Sequence, residues 1–187
     1  DNYSGVVLTS GSSGTLGCGD FMKEKYPGSK IAVGEALHCP TLLLNGFGGH
    51  RIEGSGDKHV PWIHNVRNTD MVVAVDDAWT SRAVRLFNEE KGREYLAEQG
   101  INKPLIEQLD LLGISSVGNL LSAIKYAKYY ELTSEDVVLT VFTDSMELYG
   151  SRMKEMHDEH GPFEREGAAK DYDHLMNLGI DNTQELG

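Results

Sequence analysis

Residues 5–26, GVVLTSGSSGTLGCGDFMKEKY, pass from an apolar run through a turn of small polar residues into an amphipathic stretch. The run 5–10 is β-branched, short and continuous, which reads as a buried strand. Residues 15–28 read as a helix that stops at Pro27-Gly28. A strand handed to a helix by glycines and hydroxyls is the beginning of a βα unit. The fold class follows if that unit repeats.

It does repeat. KIAVGEA (30–36) and DMVVAVDD (70–77) read as further strands, and EDVVLTVFT (135–143) is the most strongly apolar of the set. Between them, DAWTSRAVRLFNEEKG (77–92) places Trp79, Ala83, Leu86 and Phe87 on one helical face. NLLSAIKYAKYYEL (119–132) and SMELYGSRMKEMHDEHG (145–161) also carry helical spacing. Short apolar strands alternating with helices predict an α/β fold, a parallel sheet with helices on both faces in three layers. The expected organisation is one α/β domain over 1–161 and an acidic tail, 162–187, of one peripheral helix and a frayed end. Residues 38–69 have much glycine and little periodicity, too long for a plain connection and so marked as a functional loop.

At 187 residues, the chain has room for one real core. A formal net charge of -12 argues against nucleic acid or an anionic membrane as partner. No apolar run is long enough to span a bilayer, and the start, DNYSGVVLTS, has no signal-peptide pattern. A cytoplasmic protein is the expectation. Cys18 and Cys39 have no CxxC spacing and read as reduced thiols. The chain enters a strand almost at once and without an initiator Met, which suggests a piece of something longer.

Two readings fit the turn Gly11 to Thr15. One is a solvated βα turn whose hydroxyl caps the helix. The other is an anion site, because backbone N–H groups at a helix start are unsatisfied and carry the positive end of the dipole. No Gly-Lys-Ser/Thr follows, so it is not a nucleotide P-loop, and the glycine spacing is not that of a dinucleotide fingerprint. Two other stretches favour the anion site. GISSVGN (113–119) repeats the glycine and serines before a helix, and VFTDSMELYG puts hydroxyl and carboxylate after the last strand. Ligands of parallel α/β sheets bind at the carboxyl ends of strands, where all three turns belong.

Taken in order, these stretches resemble the second half of the tryptophan-synthase-β-like, fold-type II PLP enzymes, the family of cysteine synthase and cystathionine β-synthase. GSSGT (11–15) stands where that family has its Gly-Thr-Gly-Gly-Thr phosphate loop. IAVGEALHCP (31–40) is similar to the family's V-x-V-E-P…S-P strand and turn, and HRIEGSGDKHVP (50–61) to its H-K-I-Q-G-I-G…I-P segment. GISSVGN resembles the G-I-S-S-G turn, and TDSMELY (143–149) the P-D/S-S turn. The resemblance spans about residues 5–155.

The resemblance implies pyridoxal 5'-phosphate as cofactor and β-elimination or β-replacement on a small amino acid. Gly11, Ser12, Ser13, Gly14 and Thr15 would hold the phosphate, and Ser145 the pyridine nitrogen. Gly113 and Ser115 would wall the cofactor cleft, while Gly54, Ser55 and Gly56 would lie in a mobile segment near substrate. Ser13 stands in place of a loop glycine, and Thr143 in place of a proline. The segment 92–110, with REYLAEQGINKPLIEQLD, is longer than the family pattern and implies an added helix or lid. No lysine sits in the family's N-x-x-G-S-x-K context. The Schiff-base lysine is therefore expected outside this chain, in a missing N-terminal half, with this chain inactive by itself and prone to homodimerise through the surface left bare.

Other function classes stay open on the residues alone. A non-catalytic phosphate- or nucleotide-binding or subunit-interaction domain would share the same turn. His38, His50, His59 and His64, or the HDEH at 157–160, raise a metal-dependent hydrolase, although His157 and His160 are spaced i, i+3 rather than i, i+4.

Overall fold

The computed structural model describes residues 2–11 and 13–187. The chain divides into two compact units: Asp1–Asp77 with Gly118–Val141 and Gly179–Gly187, and Ala78–Val117 with Phe142–Leu178.

The first unit holds the whole sheet. Strands β1 (Asn2–Thr9), β2 (Lys30–Ala36), β3 (Met71–Val75), β4 (Asp136–Thr140) and β5 (Thr183–Glu185) lie in the order β4-β1-β2-β3-β5. The first four are parallel, as the βα pattern requires, with Val6 opposite Ile31 and Leu139 and Val33 opposite Val72.

Alternation along β1 sorts the core into two layers. Val6 and Leu8 face Leu16 of helix α1 (Leu16–Lys25), together with Ile31 and Val33. Val7 points the other way, to Ala32, Met71, Val73 and Tyr126 on helix α5 (Ile114–Tyr129). Val6, Val7 and Leu8 are wholly buried. The sheet is thus covered on both faces within this unit. Gly34 and Ser122 mark the close approach of sheet and helix: a Cβ on Gly34 would lie 2.8 Å from the Ser122 hydroxyl oxygen.

The tail differs from the expected frayed end. After the peripheral helix α7 (Arg165–Met176), residues 183–185 pair antiparallel with β3, making the sheet mixed. Its anchors come from distant residues. The buried Lys125 ammonium donates to the Ala74 carbonyl at 3.3 Å, the Asp181 carbonyl at 2.5 Å and the Asp181 carboxylate at 3.2 Å. Glu185 accepts from Tyr130 at 2.8 Å and Lys30 at 3.1 Å.

The second unit is helical. The expected single helix 77–92 is broken: α2 (Asp77–Asn88) ends, Glu89 is extended at φ -79, ψ 146, and α3 (Glu90–Glu98) follows. The segment 92–110 is helical, as α3 and α4 (Lys103–Gln108), with Asn102 capping Leu105 N and Pro104 in the first turn. α3 packs on α7 through Tyr95 and Tyr172, 5.7 Å apart edge to face, and the Arg165–Glu98 pair at 2.6 Å. Helix α6 (Gly150–His160) follows a 3-10 turn over Met146–Tyr149.

Candidate functional site

In the first unit the site begins where β1 ends. Ser10 N donates to the Gly34 carbonyl at 2.8 Å, which ties the turn to β2. Ser10 O accepts from Gly56 N at 2.5 Å, and a Cβ on Gly11 would lie 3.0 Å from the Gly54 carbonyl oxygen. The turn at 11–15 and the segment 54–56 therefore touch, backbone to backbone. Gly54 and Gly56 have φ of 86° and 84°. At Gly56 a Cβ would also stand 2.5 Å from His50 Nε2. The Ser55 hydroxyl is turned inward, donating to the Ile52 carbonyl at 3.0 Å.

Ser12 lies outside the described residues. Ser13 holds a left-handed φ of 65° and is 3% exposed, and its buried hydroxyl has no hydrogen-bond partner among the described residues. Gly14 and Thr15 are exposed. Their carbonyls accept from Gly17 N at 3.3 Å and Cys18 N at 3.0 Å, so the first turn of α1 winds directly out of the loop. Thr15, at the N-cap, makes no side-chain cap bond to the helix and reaches back to the Thr9 carbonyl at 3.5 Å.

The second unit assembles the other two turns. Gly113 N donates to the Asp144 carbonyl at 2.9 Å, and the Ser115 and Thr143 hydroxyls share a hydrogen bond of 3.3 Å. Thr143 N donates to Ser116 Oγ at 3.3 Å. Ser145 follows in extended conformation and half-buried, its carbonyl accepting from Leu148 N at 3.3 Å. A Cβ on Gly113 would stand 1.9 Å from Asp144 Oδ1, so a larger residue there must displace the Asp144 side chain. Tyr149 donates to Asp144 Oδ2 at 2.5 Å, while Asp144 Oδ1 is buried with no partner among the described residues.

Two carboxylates in the first unit escaped the sequence reading. Glu35, 2% exposed on β2, accepts from Leu42 N at 3.0 Å and Leu43 N at 2.9 Å. Burial pushes its carboxyl up from the usual range, against the opposing pull of these amides. Its only sequence signal was an acid inside an apolar run, KIAVGEA. Asp77 accepts from Arg51 N at 2.5 Å and so pins the start of the segment leading to Gly56. A cleft of about 650 Å³ opens beside this segment, lined by Thr41, Asn45, Asp57, Lys58, His59 and Trp62 among others. His157 and His160 lie exposed on α6, and no cluster of three His, Cys, Asp or Glu suited to a metal occurs among the described residues.

No family model matches the chain. Cysteine synthase B of Campylobacter jejuni is 30% identical to it over 140 residues, 74% of this chain and 40% of the relative. The chain is a cysteine synthase homologue. A probable cysteine synthase of Bacillus subtilis is also 30% identical, over 146 residues that cover 76% of this chain and 40% of the relative. Among solved structures, a hydrogen sulfide-producing enzyme from Fusobacterium nucleatum superposes with a TM-score of 0.62 at 26% identity, over 99% of this chain and 48% of that one. The cysteine synthase homologue thus spans about 40% of the length of these curated relatives. Its relatives are PLP-dependent enzymes of fold type II, and its α/β fold matches their C-terminal domain. Among its described residues, no helix is long and apolar enough to cross a membrane.

Proposed function

We propose that this chain is the part of a cytoplasmic PLP-dependent β-elimination or β-replacement enzyme that holds the cofactor's phosphate and pyridine nitrogen. The observation that carries this reading is Ser13. A buried hydroxyl without a partner costs about 1–3 kcal/mol, and a left-handed φ on a non-glycine residue adds roughly 1–2 kcal/mol. Such costs persist where a ligand later repays them. Ser13 bears both, inside the turn at the start of α1. A phosphate oxygen there would accept from its hydroxyl.

Gly11, Ser12, Ser13, Gly14 and Thr15 would hold the phosphate. The contact of Gly11 with Gly54 supports a backbone cradle, since a side chain on Gly11 would press on the Gly54 carbonyl. Ser145 would hydrogen-bond the pyridine nitrogen. A hydroxyl, unlike a carboxylate, does not favour a protonated ring. Gly113 and Ser115 would wall the cleft, braced by Asp144 and Thr143. Gly54, Ser55 and Gly56 would meet a small amino-acid substrate through backbone groups, because the Ser55 hydroxyl is engaged with Ile52. When bound, PLP supplies the electron sink for breaking and making bonds at the substrate's β-carbon.

The Schiff-base lysine would come from a further, N-terminal part of the enzyme, without which this chain has no turnover and self-associates as a homodimer. The test is to mix the chain with equimolar PLP, reduce with borohydride and map adducts by peptide mass. Absence of a defined adduct, with PLP retained by the chain and competed by inorganic phosphate, is expected. One stoichiometric adduct on a single lysine would overturn the assignment of the lysine to another part.

A further inference from the structure

A serine hydroxyl can take any of three staggered positions, so its aim depends on how the backbone that carries it is held. Ser145 stands at the head of the 3-10 turn Met146–Tyr149, extended at φ -119, ψ 164, and its side chain makes no cap bond to that turn. What fixes Ser145 lies on either side of it, all within the second unit.

Before Ser145, the backbone is fastened to the start of α5. The Asp144 carbonyl accepts from Gly113 N at 2.9 Å. Thr143 adds its N–H to Ser116 Oγ and its hydroxyl to that of Ser115, both at 3.3 Å. After Ser145, Tyr149 reaches back across the turn and donates to Asp144 Oδ2 at 2.5 Å. The loop closed in this way also contains the bond from Leu148 N to Ser145 O at 3.3 Å. Asp144 therefore grips both flanks of Ser145, with its carbonyl on α5 and its carboxylate on the far end of the turn.

The second carboxylate oxygen, Asp144 Oδ1, is buried against Gly113 and has no hydrogen-bond partner among the described residues. It lies where α5 begins, and α5 has no acidic residue in its own first turn. The positive end of the helix dipole favours a negative charge there. Packing and the dipole thus seat the carboxylate, and the Tyr149 hydroxyl is the group that links it to the turn.

We propose that Asp144 and Tyr149 are positioning residues, whose bond sets the backbone of Ser145 so that its hydroxyl meets the cofactor's pyridine nitrogen. The proposal rests on the function proposed above, in which Ser145 takes that nitrogen. Both residues act through Ser145.

The test compares two ligands of this chain by calorimetry: pyridoxine 5'-phosphate, and its analogue with C–H in place of the ring nitrogen. Neither carries an aldehyde, so lysines stay out of the measurement. The parent is expected to bind the nitrogen form about three- to tenfold tighter, the worth of one hydrogen bond. Tyr149→Phe brings the two affinities together, while circular dichroism and the affinity for inorganic phosphate stay as in the parent. Asp144→Asn, which keeps an oxygen that accepts from Tyr149, preserves the preference, and Asp144→Ala loses it. In Ser145→Ala, where the preference is already gone, adding Tyr149→Phe changes nothing further. A Tyr149→Phe variant with the parent's preference would overturn the proposal and leave the role of Ser145 intact. So would a further loss of affinity for both ligands when Tyr149→Phe is added to Ser145→Ala, because the bond would then be structural without acting through Ser145. An Asp144→Asn variant as indifferent as Asp144→Ala would remove the Tyr149 bond as the cause. If the parent itself binds both ligands equally, the assignment of Ser145 to the ring nitrogen falls first and the proposal with it.

Discussion

Gly56 N donates to Ser10 O at 2.5 Å, so two glycine-bearing segments separated by more than 40 residues in sequence form one corner joined through their backbones. The corner sets the position of the turn at 11–15 from outside the strand that precedes it. Gly56 can serve there because its φ is 84° and because no side chain contends with His50. Replacing Gly56 by Ala is expected to destabilise the chain by about 1–3 kcal/mol. It should also weaken phosphate binding, read by urea denaturation with and without phosphate. An unchanged midpoint in both conditions would show that the corner does not hold the turn.

Ser13 gives a prediction of opposite sign. Ser13→Ala removes a buried hydroxyl that has no partner among the described residues, and Ser13→Gly also relieves the left-handed φ. Without ligand both variants should be at least as stable as the parent, Ser13→Gly by about 1 kcal/mol more. With inorganic phosphate the order should reverse, because only the parent gains a hydrogen bond. Measured melting temperatures with and without phosphate would expose a hydroxyl that plays no part in binding, as no reversal would appear.

Glu35 makes stability depend on pH. Its carboxyl is pushed up by burial, so the folded chain binds its proton more tightly than the unfolded chain does. Stability from this group is greatest below the unfolded value, near 4.5, and falls as pH rises from there through the higher folded value. Glu35→Gln removes the titration while keeping an acceptor for one of the Leu42 and Leu43 amides. Urea midpoints of parent and variant measured at intervals from pH 4 to about 7 should diverge upward in favour of the variant. Parallel curves would mean Glu35 titrates alike in both states.

Lys125 is expected to hold the tail. Lys125→Met keeps the buried stem but leaves the carbonyls of Ala74 and Asp181 without their donor, at a cost of about 1–3 kcal/mol. Detachment of β5 should make residues 179–187 an early site of limited proteolysis. A tail that resists protease in the variant would assign its attachment to Glu185 and the β3 pairing instead.

Gly113→Ala would drive a methyl into Asp144 Oδ1, 1.9 Å from the Cβ position. The expected result is loss of the Gly113–Asp144 backbone bond and a fall in thermal midpoint larger than that of an exposed control, Gly150→Ala, which meets nothing within 4 Å. Equal effects of the two would mean that the Gly113 turn yields freely.

The four parallel strands, α1 and α5 were legible because each carries its own period: β-branched runs for the strands and spaced apolar residues for α5. β5 was not, since Thr-Gln-Glu has no strand signal of its own and is held by Lys125, Tyr130 and β3. The break at Glu89 was hidden for a similar reason, because the residues on both sides favour helix. In the candidate site, the turns could be picked out as motifs of glycine and hydroxyl residues. The burial of Ser13 and the Asp144–Tyr149 bond could not, because each arises from packing between residues that no local pattern links.

Where β2 passes beneath α5, a hydrogen atom on Gly34 faces the hydroxyl of Ser122. The spacing of these layers is therefore fixed where both partners are smallest, and neither can grow alone. Gly34→Ala should be tolerated only once the Ser122 hydroxyl is removed, as in Ser122→Ala, whose Cβ would stand 3.4 Å from the new methyl, so the two positions ought to exchange bulk as a pair while their sum stays constant.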